Sequence, residues 1–215
     1  MRSKKLFYHS LVFMLLLNMP VRPLQAGYMY PIEIFTSNGN YYDSPGLNFC
    51  VEVSNPGQQK ADFTFYNNSS VNSCVAEIYF DSGSIFSFAG ITNGPGTFFE
   101  RPTTPKNLPA GKTLNPSFVT SNELSFGAFS PAPKYGINPG EQLKISFNIN
   151  DDTLLNDDTL FEGIADRFKA GDIRIGAHII ALPDGSSESG INIPEPLTFC
   201  FLAAGALAFL RRRKT

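Results

Sequence analysis

Histidine is the scarcest chemically versatile residue in this sequence of 215 residues, which contains only His9 and His178. His9 lies within an N-terminal export segment described below, so the exported chain keeps one histidine. This excludes a multi-histidine zinc site and leaves a single possible Ser/His/Asp arrangement, through His178. His178 falls in the alternating run 172–180, which is typical of a half-buried strand. We therefore interpret it as a structural residue rather than a general base.

Four aspartates form the densest group of carboxylates: Asp151, Asp152, Asp157 and Asp158. Carboxylate oxygens suit Ca²⁺, so this group is the candidate metal site. Its spacing lacks the D-x-D-x-D-G pattern of a calcium loop, and acidic residues are also common where a helix begins. We expect no cofactor and no metal, and calcium at these aspartates is the weaker alternative.

Two of the three cysteines, Cys50 and Cys74, lie in the central part of the chain. Because export places them in an oxidising compartment, we expect them to form a disulfide. The bond would close a loop of about 25 residues and stabilise the fold by roughly 3 kcal/mol. Two buried free thiols are the alternative.

Aromatic residues are abundant, with 20 Phe and 8 Tyr. The pairs Tyr41-Tyr42 and Phe98-Phe99 stand in turn-rich segments, where exposed rings can stack on sugar rings. Packing in the core is the more common role of such residues.

The charges are divided unevenly along the chain. Eight of the 17 basic residues lie within 2–22 and 211–214, whereas the segment 27–193 contains nine basic and 18 acidic residues. This acidic middle argues against nucleic-acid binding, which needs clustered lysine and arginine to neutralise phosphates.

The central segment 27–192 has the pattern of one all-β domain. Apolar and polar residues alternate in 47–54, 143–149 and 173–177, as in antiparallel sheets with one buried face. Turn sequences such as Asn55-Pro56-Gly57 and Asn138-Pro139-Gly140 separate the runs. We predict seven or eight strands in a two-sheet antiparallel β-sandwich, immunoglobulin-like or jelly-roll-like, with a small barrel as the alternative. One short helix is expected over 157–169, and 93–117 is expected to be a surface loop.

The N-terminus, residues 1–26, has the layout of a secretory signal peptide. A basic start precedes a mostly apolar run of about 14 residues, which is shorter than the ~20 that a membrane span needs. We expect signal peptidase to cut between Ala26 and Gly27.

The segment 193–215 has three parts. Pro194-Glu195-Pro196 precedes the uncharged run 197–210, which precedes the basic residues Arg211, Arg212, Arg213 and Lys214. The run predicts a single transmembrane helix of about 21 Å, which is short for a hydrocarbon core of ~30 Å. The basic cluster would stay cytoplasmic, with the domain outside. The segment is a weak permanent anchor or a temporary one cut near the Pro-Glu-Pro motif.

This tripartite layout resembles the PEP-CTERM sorting signal of Gram-negative bacteria. The resemblance covers 193–215, with two departures: Ile193 where valine is common, and Cys200 within the apolar run. It implies cleavage by an exosortase at Pro194–Pro196, with Arg211–Arg213 as the retention cluster. The segments FTFYNNSSVNSCVAEIYFDSG and AGDIRIGAHIIALPDGSSESGIN also resemble PEP-CTERM ectodomains, and supply no activity.

The resemblance implies export through the inner membrane to the cell surface or the extracellular matrix, in association with exopolysaccharide and biofilm. We expect a non-enzymatic structural or adhesive protein whose processing partners are signal peptidase and an exosortase. A carbohydrate-binding module attached to the exopolysaccharide is the first alternative, and a secreted hydrolase is the second.

Overall fold

The computed structural model describes residues 27–57, 59–121, 123–155 and 159–192. These ranges contain two α-helices, α1 (Ala132–Tyr135) and α2 (Leu160–Ala170), and two 3-10 turns, η1 (Gly111–Thr113) and η2 (Asp152–Leu154). They also contain ten strands: β1 (Tyr28–Ile34), β2 (Phe49–Ser54), β3 (Lys60–Asn67), β4 (Cys74–Asp81), β5 (Phe86–Asn93), β6 (Phe99–Glu100), β7 (Ser125–Ala128), β8 (Gln142–Ile149), β9 (Arg174–Ile180) and β10 (Glu188–Asn192).

The predicted export and sorting segments, 1–26 and 193–215, lie outside the described residues. Ala26, Pro194, Glu195, Pro196 and the basic cluster 211–214 are therefore still sequence predictions. Gly27 is the first described residue and leads directly into β1, and β10 ends at Asn192. Within the described ranges, no helix is long and apolar enough to span a membrane.

The strands form one antiparallel sheet in the order β5-β8-β3-β2-β1-β10-β9-β4-β7-β6. The all-β antiparallel prediction is confirmed, but the ten strands are joined in a single sheet and not in the two expected sheets. The sheet curls nearly into a barrel, and its two edge strands approach each other where the Phe99 N–H donates to Asn93 Oδ1 at 2.9 Å. Sequence alternation cannot separate these architectures, because both bury every second residue of a strand.

Phenylalanine rings fill the interior of the curled sheet. The Phe63 ring lies 5.3 Å from Phe80 and 5.5 Å from Phe147, both in edge-to-face geometry. All three side chains are fully buried. Edge-to-face pairs of this kind stabilise a core by about 0.5–1.5 kcal/mol each beyond the burial of their surface.

The predicted helix is present as α2. Leu160, Ile164 and Phe168 form its buried face, and Phe168 stacks on Tyr30 of β1 with 4.3 Å between the ring centroids. Gly171 follows the helix with φ of 79°, and its N–H closes the last turn. The helix therefore covers one open end of the barrel.

Because neighbouring strands run in opposite directions, the connections between them lie alternately at the two ends of the barrel. We name these two ends by the connections that they carry. The terminal pole carries Gly27, Asn192 and the connections 55–59, 82–85, 101–124 and 150–173. The opposite pole carries the connections 35–48, 68–73, 94–98, 129–141 and 181–187. Both ends of the described chain thus lie at the same pole.

Candidate binding surface

His178, the one histidine among the described residues, lies on the outer face of the sheet. His178 Nδ1 is 2.7 Å from Glu77 Oε2, and the same oxygen accepts the Tyr79 hydroxyl at 3.0 Å. Tyr79 is fully buried, and that burial together with the Glu77 charge raises the pKa of its phenol far above the usual range. Through this contact His178 links β9 to β4, as we expect of a histidine with a structural role.

Of the candidate calcium residues that the structure describes, Asp151 makes other contacts and Asp152 is exposed in η2. Asp151 accepts the Thr153 N–H at 3.0 Å and pairs with Arg167 at 2.7 Å. The Thr153 hydrogen bonds and the Arg167 charge hold the pKa of Asp151 below its usual range. Asp157 and Asp158 lie outside the described residues. Within the described ranges, no three His, Cys, Asp or Glu side chains are grouped so as to hold a metal ion.

The expected disulfide is not formed in the structure, because Cys50 and Cys74 are both buried free thiols. Cys50 Sγ accepts from Asn68 Nδ2 at 3.4 Å, whereas Cys74 Sγ lies 3.5 Å from the Ala132 carbonyl oxygen. Their strands, β2 and β4, are not neighbours in the sheet. Burial raises the pKa of both thiols, that of Cys74 to about 12.

The connection 101–124, part of which we expected to be a surface loop, packs on the outer face of β4 and β9. Leu108 and Phe118 are buried there against Tyr79. The absence of a side chain at Gly176 makes this possible, because a Cβ there would lie 2.6 Å from Leu108. The connection is held by Arg174, which binds the Asp81 carboxylate and donates to the carbonyl oxygens of residues 116 and 117.

An open cleft of about 690 Å³ lies along this connection. Leu108 and Phe118 line it together with the exposed residues Lys106 and Lys112. Its volume is within the range of about 300–1,000 Å³ that small-molecule clefts occupy. Among the described residues that line it, there is no carboxylate, histidine or cysteine.

At the opposite pole, the buried carboxylate of Glu188 fixes two connections to each other. It accepts hydrogen bonds from the N–H groups of Asn38 and Gly39, each at 2.8 Å, and from the Thr36 hydroxyl. Asp184 accepts the Asn40 N–H at 2.7 Å in the same region. The connections 35–48 and 181–187 are therefore joined by side chains that accept from backbone donors.

Three aromatic side chains form the most prominent apolar surface at the opposite pole. Phe98 and Phe129 are 47% and 46% exposed, and their ring centroids are 5.5 Å apart. The Tyr135 ring lies 6.4 Å from Phe98 and 6.0 Å from Phe129, and Lys134 Nζ lies 4.8 Å from its centroid. We call Phe98, Phe129 and Tyr135 the aromatic cluster.

Backbone hydrogen bonds set the positions of the aromatic cluster. The Phe98 N–H donates to the Tyr135 carbonyl, and the Phe129 N–H donates to the Phe98 carbonyl, both at 2.8 Å. Exposed aromatic groups of this kind often mark a contact surface. Because the rings are positioned before any partner arrives, binding would cost little ordering entropy.

Sequence reasoning found only part of this surface. Phe98 is exposed as a sugar-stacking role requires, but its neighbour Phe99 is buried in the core at 3% exposure. Of the other pair, Tyr42 is exposed and Tyr41 packs against the core. Phe129 and Tyr135 were not predicted, although the nearby Pro131 and Pro133 indicate a turn, in which an aromatic side chain is readily exposed.

Comparison with known proteins adds no family. No protein-family model matches this chain, and no curated protein matches it. The crystal structure of the yeast GGA1_GAE domain-P21 aligns with 78% of this chain and 100% of its own at 10% identity, with a TM-score of 0.26. A TM-score this low carries no argument about fold or function.

Proposed function

We propose that this chain is an exported bacterial surface or matrix protein whose β-domain is a structural and adhesive module that makes contact through the aromatic cluster. The exposure of Phe98 and Phe129 on a backbone-fixed support is the observation that carries the proposal. Two half-exposed phenylalanines lose contact with water only when a partner covers them.

Carbohydrate is the second candidate partner, and the same rings favour it. An aromatic face packs against the C–H face of a sugar ring, and the neighbouring hydroxyl of Tyr135 supplies a polar group beside it. A carbohydrate-binding module and a protein-binding adhesive module would use the same aromatic cluster. The two functions are therefore distinguished by identifying the ligand that binds.

The route to the surface rests on the sequence of the two terminal segments. We propose that signal peptidase removes residues 1–26, and that the motif Pro194-Glu195-Pro196, the single transmembrane helix 197–210 and the basic cluster 211–214 direct cleavage by an exosortase. The location of Gly27 and Asn192 at one pole supports this route, because processing at either end leaves the opposite pole unobstructed.

The binding part is tested with protein recovered from the cell envelope and medium of the producing cells. Wild type and Phe129→Ala are compared for co-sedimentation with exopolysaccharide from the same cells and with washed cell envelopes. We expect the variant to lose at least about tenfold in binding, with Phe129→Tyr, which keeps an aromatic ring at the same position, as the matched control. Equal binding by wild type and Phe129→Ala would contradict the role of the aromatic cluster.

The processing part is tested by mass spectrometry of the intact protein and its peptides. We expect an N-terminus at Gly27 and a C-terminus near 194–196. The double variant Glu195→Ala, Pro196→Ala should remain at full length in the inner membrane. Normal release of that variant would refute the sorting role of the motif.

A further inference from the structure

We propose that, before processing, the terminal pole rests on the lipid bilayer with Tyr28 and Met29 at the interface, so that the aromatic cluster points away from the membrane. This rests on the proposed function, because it requires the run 197–210 to be embedded. The sequence predicts a membrane segment, and the structure indicates which end of the barrel lies next to the lipid.

The distance between the barrel and an embedded 197–210 segment is limited by covalent geometry. Asn192 is 4% exposed, pairs with Ile32 and accepts the Ile175 N–H through its side chain. The chain is therefore held in the barrel as far as Asn192. Five residue steps separate it from Leu197, which span at most about 18 Å when fully extended.

The direction of the chain selects the pole. β10 runs antiparallel to β1, with partners that move from Ile34 to Ile32 as β10 approaches its end. It is thus heading toward the start of β1, where Met29 and Tyr28 lie three and four residues further on. That difference corresponds to about 10–13 Å along the strand, so both residues lie within the height that the short connection allows.

The side chains at this height suit a bilayer interface. Tyr28 and Met29 are each 46% exposed, and the Tyr28 ring contacts Phe161 of α2 at 5.8 Å. Tyrosine is enriched at membrane interfaces because its ring is apolar and its hydroxyl is polar. The same pole exposes the carboxylates of Glu162 and Asp166 together with the ammonium groups of Lys106 and Lys169. Because both signs of charge are present, we take a zwitterionic bilayer as the partner.

The aromatic cluster lies at the other end of strands that are up to eight residues long. At about 3.3 Å per residue this separates it from the terminal pole by roughly 25 Å. A tethered chain would therefore present Phe98 and Phe129 outward while Tyr28 and Met29 contact lipid.

The absence of tryptophan from the sequence gives a direct test. The exported, unprocessed chain, purified from a host without an exosortase, is prepared as the single-tryptophan variants Met29→Trp and Phe98→Trp. Each is reconstituted in phosphatidylcholine vesicles whose acyl chains carry bromine. We expect bromine to quench the Met29→Trp emission at least about twofold and to leave the Phe98→Trp emission unchanged.

Flotation of the vesicles after alkaline carbonate extraction separates the two hypotheses. If the chain floats and Met29→Trp is unquenched, or both variants are quenched equally, the orientation is wrong while the membrane segment stands. If the chain does not float, residues 197–210 are not a membrane span. The sorting proposal and this inference then fail together.

Discussion

The ring of Phe80 lies 4.7 Å from the ring of Phe147, although five strands separate β4 from β8 in the sheet. The contact exists because the sheet curls until its two halves face each other. It therefore reports on barrel closure, whereas contacts between neighbouring strands report on local pairing.

Replacing Phe147 with alanine should destabilise the whole domain. The side chain is fully buried among other phenylalanines, and a buried Phe→Ala change costs about 3–5 kcal/mol. Phe147→Leu keeps most of the volume and should cost clearly less. Urea denaturation of both variants measures the difference, and equal losses would contradict a closely packed ring cluster.

Phe98 and Phe99 should differ sharply in their effect on stability. Phe99→Ala removes a ring that is 3% exposed and should cost several kcal/mol, whereas Phe98→Ala removes one that is 47% exposed and should cost less than about 1 kcal/mol. Binding should follow the opposite order, with Phe98→Ala the more damaging. Thermal unfolding and co-sedimentation on the same samples test the pair, and a similar loss of stability in both would place Phe98 in the core.

Glu188 should be important for stability despite being charged. Glu188→Ala leaves the Asn38 and Gly39 N–H groups without their acceptor, at a cost of about 1–3 kcal/mol for each donor that stays buried. Glu188→Gln retains one acceptor oxygen and should be milder. We expect faster hydrogen exchange at the Asn38 and Gly39 N–H groups in Glu188→Ala. Unchanged exchange at both groups would contradict the stabilising role of these hydrogen bonds.

The buried thiol of Cys74 should make stability depend on alkaline pH. Burial first, and the charge of Glu141 second, raise its pKa from 9.0 to about 12. Above pH 9 the unfolded thiol loses its proton while the folded one keeps it, so the free energy of unfolding falls between pH 9 and pH 12. Tyr66, with a pKa raised to about 12, acts in the same direction.

Cys74→Ala isolates the cysteine contribution, because Tyr66 is retained. We expect the variant to lose less stability than wild type between pH 9 and pH 12 in urea titrations, and parallel curves would contradict the assignment. Iodoacetamide at pH 8 should label neither domain thiol until the chain is unfolded. A shift in gel mobility on adding reductant would restore the disulfide hypothesis.

The apolar/polar alternation of the sequence predicts those strands that have one face in the core and the other exposed to solvent. Val51 and Val53 of β2 are buried, and Glu52 between them is only partly so. β10 gives no such signal, because Glu188 and Ser189 are as buried as an apolar strand would be. Its burial depends on hydrogen-bond donors from residues 36–39, which are about 150 positions away and invisible to a local pattern.

The prediction that 93–117 is a surface loop also missed a long-range contact. Its proline and glycine content is typical of a loop, yet Leu108 is buried because Gly176 leaves room for it on a distant strand. The aromatic cluster also depends on a long-range contact, because the pairing between β6 and β7 brings Phe98 and Phe129 together. Long-range contacts decided each of these outcomes.

β10 is the last strand of the described chain and lies in the middle of the sheet, between β1 and β9. Without it, the other strands form two separate groups, β5-β8-β3-β2-β1 and β9-β4-β7-β6. A nascent chain therefore has unpaired edges at β1 and β9 until residues 188–192 emerge, and such edges invite pairing with other chains. The barrel can therefore close only after residues 188–192 are available to pair with both β1 and β9.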